Sequence, residues 1–233
     1  MIEYLKKYLK EEELEEGIKK LNQGIPVQYI IGNVDFYNSI IEVNENVLIP
    51  RFETEELVDR TIKRLKNKTN LKIADLGTGS GCIAISLAKN LNCKIDAVDI
   101  SLKALEVAKK NAINNNVNIN FYQGDMLKPL KDKYDCIISN PPYIAYNEEI
   151  MDIVKNNEPH IALYANNDGL EFYESIIKNC HNYLNKNALI AFEIGYKQGK
   201  KIKELALNYL NCKVTIEKDL SDKERYVFIE LNN

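Results

Sequence analysis

The chain has 233 residues, 45% of them apolar and 28% charged, which fits a globular protein with one domain of ordinary size and a small appendage. No apolar stretch reaches the roughly 18 residues of a membrane span, and the N-terminus lacks a signal-peptide pattern, so we expect a cytoplasmic protein with no membrane partner. A net charge of −3 argues against direct nucleic-acid binding, and five widely spaced cysteines argue against both a disulfide framework and a metal site.

The N-terminal quarter of the chain shows helix and hairpin patterns. Residues 2–22 alternate lysine and glutamate around inward-facing leucine and isoleucine, which predicts a single amphipathic helix. Two apolar segments then flank Asn38-Ser39 and indicate a β-hairpin, and a helix over 53–66 follows. The chain is divided accordingly into an N-terminal helix (1–25), a hairpin linker region (26–50) and a main domain (51–233).

From residue 71 onward, short apolar runs alternate with helical patterns, which is typical of an α/β sheet with crossover helices. The loop 218–225 is too short to hold a crossover helix, so the last two strands are expected to pair antiparallel. The result is a mostly parallel seven-stranded sheet with one antiparallel strand in its edge region. The predicted strands cover 71–76, 94–99, 118–122, 134–139, 188–193, 213–217 and 226–231. The predicted helices cover 81–90, 102–115, 170–184 and 197–209.

The first strand of this sheet ends in a glycine-rich loop that passes directly into a helix. Glycines at such a turn let the backbone bend tightly and let a ligand approach it. The spacing is Gly-x-Gly-x-Gly, whereas dinucleotide enzymes use Gly-x-Gly-x-x-Gly, so the loop favours S-adenosylmethionine over NAD. The candidate cofactor residues of this loop are Asp75, Gly77, Thr78, Gly79, Ser80 and Gly81.

Polar residues also follow the next two predicted strands. Asp99 ends the second strand, where its carboxylate can accept both hydroxyls of a ribose. Asp125 and Met126 follow the third strand and would place a carboxylate near an adenine amino group and an apolar side chain against the ring. Singly, each residue has an ordinary explanation as a turn former or helix cap. Their positions at consecutive strand ends favour a cofactor site.

The fourth strand is followed by Asn140-Pro141-Pro142-Tyr143. Two prolines fix φ and donate no hydrogen bond, so the strand ends in a rigid corner rich in acceptors. The Pro141 carbonyl and the Asn140 side-chain carbonyl could together receive an NH2 group, and Tyr143 offers an aromatic face to a planar substrate. We expect Asn140, Pro141 and Tyr143 to be catalytic, Pro142 to complete the substrate site, and Asn140 to face the cofactor as well.

These residues together resemble the release factor glutamine methyltransferase family. The resemblance covers about residues 24–231, and its Ile-Pro-Arg-x-Glu-Thr-Glu segment (49–55) is more specific than the glycine loop. The family has an N-terminal helical bundle that docks the protein substrate, whereas only residues 1–25 precede Pro26 here, so they look like a shortened remnant. The matching segments are 26–32, 47–51, 53–55, 75–81, 97–101, 123–125, 140–143, 158–159, 168–170 and 193–195.

The resemblance implies a Rossmann-like methyltransferase fold and an enzyme of translation termination, and we expect this enzyme to be a monomer. Its reaction would transfer a methyl group from S-adenosylmethionine, leaving S-adenosylhomocysteine, to the glutamine amide of the Gly-Gly-Gln motif in bacterial class I peptide chain release factors. Asn140 and Pro141 would each accept one amide N–H and aim the nitrogen at the methyl group. Arg51 and Glu53 could border the substrate channel or form structural ion pairs.

Two other functions remain open at this point. The same tetrapeptide occurs in adenine-N6 methyltransferases acting on DNA or RNA, where Tyr143 would stack on a flipped base. The acidic charge balance and the absence of an additional domain for reading a duplex argue against that function. The second alternative is a non-catalytic cofactor-binding paralogue, which only the shortened N-terminus favours.

Overall fold

The computed structural model describes residues 1–232. Its N-terminal part holds three helices and one antiparallel hairpin, in which Asn33 pairs with Glu42 and Phe36 with Ser39. These elements are α1 (Ile2–Tyr8), α2 (Glu11–Asn22), α3 (Val27–Ile31), β1 (Asn33–Phe36) and β2 (Ser39–Glu42).

The prediction of one helix over 2–22 is wrong, because the chain is extended at Leu9 and Lys10 and forms two helices. The Lys10 N–H donates to Glu13 Oε2 at 3.0 Å and thereby caps the second helix. At Gly17 a Cβ atom would lie 2.6 Å from Leu9 Cδ1, so this glycine lets α1 fold back closely onto α2. The break also allows Leu5 to be completely buried.

A seven-stranded sheet forms the main domain, with β3 near its centre. Its strand order is β10-β11-β9-β6-β3-β4-β5, and only β11 runs opposite to its neighbours. The mostly parallel sheet is therefore confirmed, and its single reversed strand lies second from the edge. The strands are β3 (Leu71–Leu76), β4 (Cys93–Asp99), β5 (Asn120–Gln123), β6 (Tyr134–Ser139), β9 (Leu184–Glu193), β10 (Cys212–Lys218) and β11 (Glu224–Leu231).

Hydrophobic cores cover both faces of this sheet. Successive residues of a strand point to opposite faces, and accordingly Ile73 enters one core while Ala74 enters the other. Strand β6 alternates in the same way, with Ile137 and Ile138 in different cores. Central strands buried on both faces are near-continuous apolar runs, which explains why β3 and β6 have their predicted bounds.

The remaining elements connect the strands and cover the sheet. The predicted helix over 170–184 is too long: it ends at Asn179, a 3₁₀ turn follows at Cys180–Tyr183, and β9 already begins at Leu184. Among residues 1–232, no helix combines the length and apolar character needed to cross a membrane. These elements are α4 (Phe52–Leu65), α5 (Cys82–Asn90), α6 (Leu102–Asn114), β7 (Ile144–Ala145), α7 (Asp152–Asn157), β8 (Tyr164–Ala165), the short turn α8 (Asn166–Gly169), α9 (Glu171–Asn179) and α10 (Gly199–Tyr209).

One buried side chain, Asn111 of α6, attaches the hairpin to the main domain. Its Oδ1 accepts from the Glu42 N–H at 2.8 Å, and its Nδ2 donates to the Glu42 carbonyl at 2.9 Å. The same Nδ2 donates to the Ser80 carbonyl in the glycine-rich loop, also at 2.9 Å. A single amide therefore holds the hairpin, α6 and the loop together.

Candidate functional site

The candidate site lies where the parallel strands β6, β3 and β4 end side by side. From β3 the chain builds outward through β4 and β5, and it then returns to place β6 on the other side of β3. Such a reversal of strand order leaves a crevice at the carboxyl ends of the strands, which is where α/β sheets bind ligands. The glycine-rich loop, Asp99 and the tetrapeptide all follow these strand ends, as the sequence predicts.

A cleft occupies this crevice, and it contains about 830 Å³ of empty space including its open mouth. Several residues of the predicted cofactor site line the cleft: Gly77, Gly79, Asp99, Asp125, Met126 and Asn140. Apolar residues outside that prediction complete its wall, among them Val47, Leu48, Ile161, Ala162 and Phe172.

The loop glycines have two different functions. Gly77 and Gly79 have φ values of 71° and 54°, and a Cβ on either would have no atom of residues 1–232 within 4 Å, so open space lies beside their backbone. Gly81 also has a left-handed φ, of 82°, but a Cβ there would lie 3.2 Å from Ala108 Cβ. Gly81 therefore allows the start of α5 to pack closely against α6, and it does not line the cleft.

Three other loop residues lie behind the cleft surface. Asp75, Thr78 and Ser80 are buried and do not line the cleft. The Thr78 hydroxyl donates to Asp75 Oδ2 at 2.6 Å, and burial raises the pKa of Asp75 to about 7. Oδ1 of Asp75 is buried and has no hydrogen-bond partner among the described residues. These side chains pack behind the loop, so that the loop backbone faces the cleft.

Asp99 is fixed in the wall of the cleft by backbone donors. Its Oδ2 accepts from the Gly79 N–H at 2.8 Å, and its Oδ1 accepts from the Ser101 N–H at 2.9 Å. Burial raises the pKa of Asp99, and the backbone hydrogen bonds oppose that shift. A carboxylate has about four acceptor positions, so each oxygen keeps the capacity to receive a ligand hydroxyl.

A second cavity adjoins the cleft and shares Asn140 with it, and it contains about 440 Å³ of empty space including its open mouth. Tyr143, Arg51 and Glu193 supply the other polar groups of its lining. Pro142 lines the first cleft, whereas the buried Pro141 lines neither space. The tetrapeptide therefore forms the boundary between two spaces, with Asn140 exposed to both.

A chain of hydrogen bonds lies behind Asn140. Its Nδ2 donates to Thr54 Oγ1 at 3.1 Å, and the Thr54 hydroxyl donates to Glu193 Oε2 at 2.6 Å. The Tyr143 hydroxyl reaches Glu193 Oε1 at 3.5 Å. Burial raises the pKa of Glu193 to about 7. The sequence analysis assigned no role to Thr54 or Glu193, although a carboxylate ending the strand beside β6 was a usable signal.

The far end of the tetrapeptide is held by its backbone. Gln198 Nε2 donates to the Tyr143 carbonyl at 3.0 Å and to the Asp168 carbonyl at 3.2 Å. Gly169 has a φ of 78°, and a Cβ there would collide with the Tyr143 carbonyl oxygen. The corner after β6 is thus fixed by proline geometry and by close packing.

Arg51 lines the second cavity and also forms an ion pair, whereas Glu53 lines neither space. The Nη2 of Arg51 donates to Glu158 Oε1 at 2.5 Å. The other oxygen of the buried Glu158 accepts from the Ile49 N–H at 3.1 Å. This pair connects the segment before α4 to the segment after α7, and both segments border the cavities.

Comparison with known proteins agrees with this geometry. Residues 58–160 match the family model for the methyltransferase small domain. The release factor glutamine methyltransferase of Lactococcus lactis is 43% identical over 221 residues, covering 93% of this chain and 82% of that protein. The protein of the same name from Flavobacterium psychrophilum is 44% identical over 223 residues, covering 91% of this chain and 78% of that protein.

Solved structures show the same fold. A methyltransferase from Pyrococcus furiosus superposes with a TM-score of 0.63 at 20% identity, covering 83% of this chain and 89% of that one. The release factor-specific protein-(glutamine-N5) methyltransferase of Alicyclobacillus acidocaldarius superposes with a TM-score of 0.52 at 26% identity, covering 82% of this chain and 99% of that one. Fold and site thus define a Rossmann-like methyltransferase. Within that class, the chain belongs to the release factor glutamine methyltransferase family.

Proposed function

We propose that this protein transfers a methyl group from S-adenosylmethionine to the side-chain amide nitrogen of the Gly-Gly-Gln glutamine in a bacterial peptide chain release factor. The observation that carries the proposal is the junction of two spaces at Asn140. A transfer reaction needs its donor and acceptor in adjacent sites with the reacting atoms in line. The larger cleft would hold the cofactor, and the smaller cavity would hold the glutamine side chain.

The larger cleft fits the cofactor on three counts. Gly77 and Gly79 leave room beside their backbone, Asp99 offers acceptors for the ribose hydroxyls, and Met126 supplies an apolar surface for the adenine. Asp125 lies in the same wall, where it could accept from the adenine amino group. S-adenosylmethionine supplies an electrophilic methyl group on a sulfonium. Asp75, Thr78, Ser80 and Gly81 would support the loop, and Gly77 and Gly79 would contact the cofactor directly.

At the junction, the residues of this chain orient the substrate nitrogen. Asn140 Oδ1 and the Pro141 carbonyl would each accept one N–H of the glutamine amide, and Tyr143 would cover its plane. An amide nitrogen is a weak nucleophile, because its lone pair is delocalised into the carbonyl. Holding two reactants in line can be worth about 7–11 kcal/mol, so positioning can compensate for that weakness. No strong base is needed beforehand, since the methylated nitrogen is acidic and loses its proton afterwards.

The acceptor pair would also select glutamine over glutamate. A glutamate side chain has no N–H to donate, so two buried acceptors would remain unpaired at a cost of about 1–3 kcal/mol each. Glu193 lines the same cavity and would add charge repulsion against a carboxylate whenever it is ionised.

The N-terminal elements lie outside this machinery. We propose that residues 51–233 form the catalytic unit, with 26–50 as a linker region that also borders the site through Val47 and Leu48. Helices α1 and α2, within 1–25, would contribute to substrate docking.

The test is methyl transfer from radiolabelled S-adenosylmethionine to three acceptors: a release factor, the same factor with its Gly-Gly-Gln glutamine changed to alanine, and DNA. We expect labelling of the intact factor alone. Labelling of DNA would indicate an adenine-N6 methyltransferase instead. No labelling, together with measurable cofactor binding, would indicate a non-catalytic paralogue.

A further inference from the structure

The amide of Asn140 has two possible orientations, and only one of them suits an incoming NH2 group. Rotation by 180° about the last side-chain bond exchanges Oδ1 and Nδ2, which have nearly the same shape. With Nδ2 facing the substrate cavity, two donors would oppose each other and the substrate nitrogen would be displaced. A site that uses Asn140 as an acceptor therefore needs something to fix this orientation.

We propose that Thr54 and Glu193 form a positioning relay that holds Asn140 Oδ1 toward the substrate. The inference rests on the proposed function and adds two residues to that site. The Thr54 hydroxyl has one hydrogen, and it donates that hydrogen to Glu193 Oε2 at 2.6 Å. Toward Asn140 it can then present only a lone pair, which receives the Nδ2 hydrogen at 3.1 Å. Reversing the amide would set Oδ1 against that lone pair.

The fold places the relay directly beneath the junction of the two spaces. Ser139 of β6 is in register with Phe192 of β9, so Asn140 and Glu193 both follow from paired strand positions. Thr54 reaches them from the first turn of α4, which packs on β9. Thr54 and Glu193 are 3% and 2% exposed, so water does not compete for their hydrogen bonds.

Glu193 determines the direction of the whole chain of hydrogen bonds. When Glu193 is ionised, its oxygens accept and do not donate, so the Thr54 hydrogen is directed to Glu193. Burying a carboxylate among apolar neighbours is costly, and an apolar side chain would avoid that cost. The Tyr143 hydroxyl approaches the other oxygen at 3.5 Å. One buried group thereby orients both polar side chains of the tetrapeptide.

Thr54→Val tests the relay, because valine keeps the shape of threonine and removes its hydroxyl. Thr61→Val is a matched control: Thr61 is a fully buried threonine of the same helix, and its hydroxyl donates to the Leu57 carbonyl away from the site. We expect Thr54→Val to lower kcat about tenfold or more while leaving cofactor affinity unchanged, and Thr61→Val to leave kcat unchanged. Thr54→Ser, which restores the hydroxyl, should recover most of the loss.

A double-mutant cycle separates positioning from a general structural effect. If Thr54 acts through Asn140, Thr54→Val should change kcat by less than about twofold once Asn140→Ala is present. A full tenfold loss in that background, or equal losses for Thr54→Val and Thr61→Val, would overturn the relay.

A second measurement needs no turnover. Hydrogen exchange of the Asn140 side-chain NH2, identified by its loss in Asn140→Ala, can be followed by NMR. Thr54→Val should accelerate this exchange at least about tenfold and Thr61→Val should not, since only the first variant removes its acceptor. Unchanged exchange in Thr54→Val would exclude the relay even in an active enzyme. An inactive wild type with the expected exchange would contradict the proposed function and leave the relay standing.

Discussion

Asn140→Asp is the sharpest test of substrate positioning, because it keeps the shape of the side chain while it replaces the NH2 group with an oxygen and adds a negative charge. Asn140 Nδ2 currently donates to Thr54 Oγ1 at 3.1 Å, and the Thr54 hydrogen is already directed to Glu193 at 2.6 Å. The introduced carboxylate would face a lone pair at the same distance. Either two acceptors confront each other, or Thr54 turns its hydrogen away from Glu193.

Both outcomes leave one buried acceptor without a donor, at a cost of about 1–3 kcal/mol. The side chain at position 140 can relieve this cost by rotating, and rotation moves the oxygen that should receive the substrate N–H. Loss of one preorganised hydrogen-bonding group in an active site typically lowers kcat by about 10²–10³-fold. We therefore expect kcat for Asn140→Asp to fall at least about 100-fold, equivalent to about 2.7 kcal/mol of barrier.

Cofactor affinity should remain largely intact, since the glycine-rich loop and Asp99 are unchanged. The added negative charge would lie near the positively charged sulfonium of the cofactor. The assay is single-turnover methyl transfer to a release factor, with calorimetry for S-adenosylmethionine binding. Asn179→Asp controls for the added charge, because Asn179 is exposed and bonds only to its own helix. Single-turnover rates within about threefold of wild type would refute the assignment of Asn140 as the substrate acceptor.

Three further outcomes are expected. Asp99→Ala should weaken S-adenosylmethionine binding in calorimetry without unfolding the protein, since it removes the proposed ribose acceptor; unchanged affinity would contradict that assignment. Asn111→Leu removes all three hydrogen bonds of a fully buried side chain and should lower the free energy of unfolding in urea by about 3 kcal/mol, whereas a loss below about 1 kcal/mol would show that the hairpin needs no such anchor. The pKa of Glu193 is raised from 4.5 to about 7, so the folded state binds more protons than the unfolded state between these values, and stability falls as pH rises through this window. Relative to Glu193→Gln, the wild type should therefore lose about 3 kcal/mol of unfolding free energy between pH 4.5 and 8, and a constant difference across that range would contradict the raised pKa.

The central strands were predictable, because burial on both faces produces unbroken apolar runs. Strands β3 and β6 begin and end where the sequence places them. The break between the two N-terminal helices was not predictable, since periodicity alone cannot show that the chain turns back at Leu9 after α1. That reversal depends on contact between Leu9 and Gly17, which lies eight positions further along the chain inside α2.

The candidate site was predictable where it follows the ends of adjacent strands. Gly77, Gly79, Asp99 and Asn140 all line the cleft, because the carboxyl ends of parallel strands meet at one edge of the sheet. Sequence spacing could not distinguish these residues from Gly81, whose backbone has the same left-handed φ but packs against a neighbouring helix.

Thr54 and Glu193 escaped prediction for a different reason. They are 139 positions apart in sequence, and their contact exists only because α4 packs on β9. No local pattern encodes such a pairing.

On the proposed mechanism, the two substrate acceptors are fixed by different physical means. The Pro141 carbonyl belongs to a backbone that proline geometry and the packing of Gly169 hold rigid, so it has one orientation available. The Asn140 oxygen belongs to a side chain with two nearly equivalent orientations. It acquires a single one only because Glu193 accepts the Thr54 hydrogen and Thr54 can then accept from Asn140 Nδ2. Substitutions far from the tetrapeptide in sequence should therefore disturb the Asn140 acceptor far more easily than the Pro141 acceptor. This asymmetry explains why a site built on four consecutive residues also requires a buried carboxylate from another strand.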